Sequence, residues 1–192
     1  KLSPVSFEQR LSTYLMRYSD QVNEAMLNLL DSHDTERFLY SAGEDKKALK
    51  NAAAFLFAYK GMPCTYYGTE IGMTGNYDPG CRKTFDWNRK NWDQDLYEYY
   101  RKLIKIRNTQ EALKKGRIEF LSTDHVFVMK RIYGKEHINI VINTTKEDQE
   151  LAVYEPGFTW MIDLISRQEW RMSDKAEPIR IPKQSALYLK FV

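Results

Sequence analysis

Long apolar runs are absent from this sequence. The longest, AAAFLFAY at 52–59, is far too short to span a bilayer, so no membrane partner is expected. Cysteine is scarce. Cys64 and Cys81 stand far apart and form neither a disulfide framework nor a metal-binding motif. Only three histidines occur, with no cysteine cluster beside them, so no zinc or other metal site is expected. Charge of one sign is lacking too. The net charge is +3, the basic residues are spread along the chain, and no basic run is interleaved with aromatics. That excludes nucleic acid as a partner. The N-terminal KLSPVSFEQR has no signal-peptide apolar segment and no initiator methionine. The chain therefore reads as cut from something longer, and a reducing, cytoplasmic location is expected.

What is present is a packed chain. Hydrophobic residues make up 43% and charged residues 29% of 192, enough for one domain or two small ones. Aromatics reach 14%, including 13 tyrosines. That abundance fits stacking on sugar rings, and it fits an ordinary core equally well.

The first part alternates helix and strand. Phe7, Leu11, Tyr14, Leu15 and Tyr18 form a helical stripe over 6–18, with Ser6 and Gln9 at capping-box spacing and Pro4 upstream. The apolar run 26–32 reads as a buried strand carrying Leu29 and Leu30. A helix over 45–60 follows, with Gly61 suited to the left-handed position after its last turn and Pro63 blocking continuation. PCTYYGTE (63–70) reads as a second buried strand. The long Gly-, Asn- and Asp-rich loop 72–92 comes next, and a third helix starts near Asp93. Successive βα units imply a parallel sheet with helices outside. After about residue 115 the style changes. HVFVMKRIYGKEHINIVINTT alternates around Gly134-Lys135 as a hairpin, and further short strands follow. The expected architecture is α/β for residues 1–112, then an antiparallel β-sandwich over 113–192.

Function in parallel α/β architecture gathers at the C-terminal ends of strands. Two such ends carry acids here: His33-Asp34 in LLDSHDTER, and Glu70 after YYGT. Taken alone, DSHDTER also reads as helix punctuation with a solvated Glu36–Arg37 pair, and Glu70 as a surface carboxylate.

Three blocks, LLDSHDTER, MPCTYYGTEIGM and GNYDPGCRKTFDW, resemble in order and spacing the α-amylase family of glycoside hydrolases, nearest its cyclomaltodextrinase/neopullulanase branch. That branch usually has Asp where Thr69 stands. The resemblance implies the C-terminal part of a (β/α)8 TIM barrel, roughly two of its eight strands, followed by a β-sandwich domain. It implies a retaining mechanism acting on α-glucans or cyclodextrins. Asp34 then corresponds to the family's transition-state-stabilising carboxylate and His33 to its sugar-binding histidine. Such a third carboxylate binds ring hydroxyls and raises the proton affinity of a neighbouring acid. Tyr67 and Arg82 are carried over as substrate-binding, with Arg82 a loop anchor first. Arg37, Glu70 and Asp78 are carried over as supporting residues. The family's nucleophilic Asp and acid/base Glu have no counterpart context here, so this stretch alone is expected to be inactive. No cofactor is implied. Calcium, present in some members, is not indicated by these residues.

A competing reading is a non-catalytic carbohydrate-binding or interaction module on the β part, with Trp160 and Trp170 as candidate contacts. Both tryptophans are read by default as core, and Trp87 stays open between stacking and core. Barrel strands without neighbours also expose edges, so self-association is expected.

Overall fold

A Ser-Pro pair starts the chain's first helix. A computed structural model of the protein describes residues 2–173 and 175–192. Ser3 accepts the Ser6 N–H at 3.2 Å and Pro4 fills the first helical position, so helix α1 runs Pro4–Leu15. The expected capping box at Ser6 and Gln9 is therefore wrong by one turn: proline suits the position whose N–H is unpaired anyway. Ser19 caps α2 (Asp20–Ala25) in the same way.

Strand β1 spans only Leu27–Leu29, and α3 follows at Phe38–Ser41. Asp45 accepts the N–H groups of Lys47 and Ala48 to open α4, Lys46–Ala58. Strand β2, Met62–Cys64, pairs parallel to β1 with Leu27 opposite Met62. Gly61 sits between them at φ +95°, where a Cβ would fall 2.6 Å from the Met26 carbonyl. Here the left-handed backbone and the close approach both demand glycine. Asp93 caps α5, Gln94–Thr109, and its carboxylate also meets Lys46 at 2.5 Å, tying the starts of α4 and α5 together. Helix α6 covers Glu111–Lys115.

The expected strands 26–32 and 63–70 are much shorter than predicted, and Leu29 is exposed rather than buried. Leu27 is 60% exposed, and among the described residues the β1–β2 pair has no further strand on either edge. Apolar side chains that would face barrel neighbours face water here.

The remainder is antiparallel. β3 (Arg117–Phe120), β4 (Phe127–Tyr133), β5 (Glu136–Asn143), β6 (Gln149–Val153), β7 (Trp160–Asp163), β8 (Glu169–Arg171), β9 (Glu177–Ile181) and β10 (Ser185–Phe191) complete the chain. The main sheet has the order β3-β4-β5-β10-β7-β8, and β6 pairs with β9 in a second sheet. The β4–β5 turn falls at Gly134, φ +56°, as the alternation predicts.

Period-two alternation here separates two buried faces, not a buried face from a wet one. Phe127, Met129, Ile138, Ile140 and Tyr188 meet Leu11, Phe57, Tyr100 and Leu103 of the helices. Val128, Val141, Leu189 and Phe191 meet Leu151, Val153 and Ile181 of the small sheet. The β part thus forms one wall of the helical core. No helix among the described residues is long and apolar enough to cross a membrane.

Two arginines lock that wall. Arg107 of α5 donates to the Phe57, Tyr59 and Gly61 carbonyls at 3.1, 2.8 and 2.5 Å. Arg131 of β4, fully buried, donates to the carbonyls of Ala58 and Gly116. Together they satisfy carbonyls that the end of α4 leaves without helical partners, and they place positive charge at its negative pole. Burial and the nearby Arg107 push the Arg131 pKa down to about 9. Arg131→Met strips two buried carbonyls of their donor, so unfolding free energy should fall by about 2–4 kcal/mol. A urea titration checks this; an unchanged midpoint would show that water takes the donor's place.

Candidate functional site

The segment between β1 and α3 turns back on itself instead of continuing as strand. Asp31 is buried and accepts the Phe38 N–H at 2.9 Å and the Thr69 hydroxyl at 3.2 and 3.0 Å. This one carboxylate clamps the exit of β1 to the exit of β2. It also accounts for Thr69 where the resemblance expects Asp: a second carboxylate would face Asp31, whereas a hydroxyl donates to it. Sequence reading missed Asp31, whose signal, an acid ahead of His-Asp, was present but read as a helix cap.

His33 and Asp34 ride on the turn beyond the clamp, four residues or more past β1, not on the strand end itself. The Asp34 N–H donates to Ser32 Oγ at 3.1 Å, and Ser32 N–H to Thr35 Oγ1 at 3.0 Å. His33 Nε2 lies 3.2 Å from Asp34 Oδ2, and the Asp34 side chain is 70% exposed. Both side chains are therefore presented outward from a turn fixed by short local bonds.

The long loop closes on this turn. Arg82 donates from Nε to the His33 carbonyl at 3.1 Å and from Nη2 to Asp34 Oδ1 at 3.3 Å. Asp78 Oδ1 is 3.6 Å from the same Nε. Cys81, buried, places Sγ 3.3 Å from the His33 carbonyl. Arg82 thus gathers two carboxylates and the backbone of the pair at once. The loop folds tightly enough that a Cβ on Gly75 would sit 2.1 Å from the Gly80 carbonyl.

Arg37 does not reach Asp34. It is fully buried, donates from Nη1 to the Tyr67 carbonyl at 2.8 Å, and stacks under the Tyr66 and Tyr67 rings at 4.7 and 4.9 Å. Its own N–H donates to the Gly75 carbonyl at 2.9 Å, so it pins the loop's first turn. Tyr67 stays exposed and donates its hydroxyl to the Lys83 carbonyl at 2.7 Å. Burial raises the Tyr66 phenol to about 12. Trp87 is 83% exposed and packs edge-on against Phe85 with ring centroids 4.7 Å apart.

Glu70 lies on the 3-10 turn Thr69–Ile71, not at a strand end, and is half-buried with one carboxylate oxygen lacking a partner among the described residues. Burial lifts its pKa above the ordinary 4.5, and the nearby Asp31 adds to this, although backbone donors and Arg37 oppose it. A raised carboxyl helps the folded state below 4.5, and the help is lost as pH rises through the folded value. Glu70→Gln cannot lose that proton. The variant should gain stability relative to wild type from pH 4 to neutrality, seen as diverging urea midpoints; parallel pH profiles would contradict the burial argument.

Chemically, then, the described residues hold two ion-paired acids and a histidine at an open mouth. No group of three His, Cys, Asp or Glu side chains among them converges as a metal site.

Residues 2–91 match the family described as "Alpha amylase, catalytic domain". The chain is 35% identical over 185 residues to a cyclomaltodextrinase of Geobacillus thermopakistaniensis (strain MAS1), covering 94% of this chain and 32% of the relative. It is 35% identical over 169 residues to neopullulanase 2 of Thermoactinomyces vulgaris, covering 85% and 29%. Among solved structures, the acarbose complex of an α-amylase from Geobacillus thermoleovorans superposes with a TM-score of 0.86 at 26% identity, covering 96% of this chain and 42% of that one. The chain spans about a third of the length of the curated relatives it matches.

Proposed function

This chain belongs to the α-amylase family, and we propose that it supplies the transition-state-stabilising side of an α-glucan-cleaving site. Asp34 binds ring hydroxyls of the distorted sugar, and His33 donates to a neighbouring hydroxyl. Arg82, with Asp78, holds the pair in place, and Tyr67 borders the sugar. Arg37 and Glu70 fix the backbone beneath. We assign residues 1–112 to the barrel and 113–192 to the β-sandwich, and place the protein in the cytoplasm. Its cysteines, Cys64 and Cys81, are free thiols.

The observation that carries the reading is Arg82 spanning His33, Asp34 and Asp78, because it orders an otherwise exposed carboxylate without covering it. A retaining glycosidase needs a nucleophile and an acid/base about 5–5.5 Å apart. In this reading those two groups come from barrel strands other than β1 and β2. The same strands cover Leu27, Leu29 and Met62, which are exposed here. Alone, the chain self-associates through these edges. Sedimentation velocity should show species above monomer that grow with concentration, and a concentration-independent monomer would contradict this.

The functional reading is tested by a chimera in which residues 2–192 replace the matching third of a cyclomaltodextrinase. Cyclodextrin hydrolysis by the folded chimera supports it. A folded chimera without turnover rejects it.

A further inference from the structure

The β-sandwich carries its own exposed tryptophan. Trp160, the first residue of β7, is 45% exposed, contrary to its expected core position, whereas Trp170 on the neighbouring strand packs against the small-sheet core. The parity of the strand explains the difference. Met161 and Trp170 are cross-strand partners facing the core, so Trp160 and its partner Arg171 face the opposite way.

Trp160 borders an open cleft of about 700 Å³ lined also by Thr159, Arg171, Met172, Ser173 and Glu177. Its backbone is fixed on both sides: its N–H donates to the Val192 carbonyl at 3.0 Å and its carbonyl accepts the Val192 N–H at 2.9 Å. The Thr159 carbonyl accepts the Met172 N–H at 2.9 Å, closing the cleft floor. Among the described residues the Trp160 ring meets no other ring or cation, and the Arg171 and Glu177 side chains make no ion pair or hydrogen bond. Elsewhere on the surface such groups pair off, as Arg101 does with Glu98 and Arg180 with Asp148.

We infer that this cleft is a second α-glucan site, separate from the His33–Asp34 mouth. A rigid indole offers an apolar platform for a pyranose face. An unpaired guanidinium and carboxylate, with the Thr159 hydroxyl, offer donors and acceptors for sugar hydroxyls, while the Ser173 hydroxyl is engaged by the Lys175 backbone at 3.1 and 3.3 Å. One positive and one negative group together favour a neutral, hydroxyl-rich ligand: a phosphate or nucleotide would meet Glu177, and a cationic ligand Arg171. The sugar class rests on the proposed function; the position of the site does not.

The test uses the 192-residue chain with its four tryptophans labelled at the indole nitrogen, titrated with maltoheptaose. The Trp160 signal is assigned by its disappearance in Trp160→Phe. The expected result is a saturable shift of that signal, unchanged by Asp34→Asn and much smaller with the β-linked cellohexaose, together with a calorimetric maltoheptaose affinity weakened about tenfold or more by Trp160→Ala. A stationary Trp160 signal overturns the proposal. So does equal affinity in Trp160→Ala, or an equal response to cellohexaose, which would mark a merely sticky aromatic. If Trp160→Ala fails to fold, Arg171→Ala and Glu177→Gln are held to the same criterion. Failure of the chimera to turn over, with the Trp160 shift intact, would reject the catalytic reading and leave glucan binding standing.

Discussion

Replacing Asp34 by Asn in an active chimera is expected to lower kcat by about 10²–10³-fold, with KM changed only a few-fold. The size follows from what an ordered charge does for a transition state that carries charge itself. Removing one preorganised electrostatic partner typically costs about 3–4 kcal/mol of barrier. Asn keeps the shape and a carbonyl acceptor, so ground-state contacts with neutral hydroxyls survive. What it loses is the negative charge facing an oxocarbenium-like ring. That charge is 70% exposed in this chain and lies between His33 and Arg82. Enclosure by further barrel walls would remove water and strengthen its field. Steady-state kinetics on a cyclodextrin distinguish the outcomes. A change in KM alone would reduce Asp34 to a binding residue, and an unchanged kcat would remove it from the site.

The second large effect is an absence. The 192 residues by themselves are expected to cleave neither maltotriose nor cyclodextrin. Bond cleavage needs one carboxylate to attack and another carboxyl to deliver a proton. The acids nearest Asp34 do not fit those roles. Asp78 shares Arg82 with it, which suits a pair of loop anchors. Glu70 has the raised proton affinity of an acid, yet it is turned into the frame around Arg37 and Asp31, not out to the mouth. Asp31 is engaged by Phe38 and Thr69. Glu36 accepts the Ser41 hydroxyl, and Asp86 accepts the Asn88 N–H and the Asn91 side-chain amide.

How much of this was legible beforehand depended on the range of the interactions. The helix starts near residues 45 and 93, Gly61 after α4, and the turn at Gly134 are local signals, and each fell where the residues pointed. Strand lengths were overread because apolar composition continues past Leu29 and Cys64, while the backbone is diverted by the Asp31 clamp, formed 38 residues away in sequence with Thr69. Leu29 reads as buried in a whole barrel; with two strands it cannot be. Arg107 and Arg131 were invisible for a similar reason. Their partners are main-chain carbonyls at the end of a distant helix, and no residue type marks a carbonyl. Arg37, read as a supporting residue or half of a solvated pair, is buried, and its guanidinium holds Tyr67 while its N–H holds Gly75 of the long loop. Trp160 was read as core by residue type alone, whereas its exposure follows from which parity of β7 faces the small sheet, a pairing that residue type does not mark.

The measurement that bears most directly on the central claim is cyclodextrin hydrolysis by the purified 192-residue chain of verified mass, run beside the chimera. Turnover is expected in the chimera and none above buffer in the chain alone. Turnover by the chain alone that vanishes in Asp34→Asn would contradict that claim, and would place a complete catalytic set of acids within these residues.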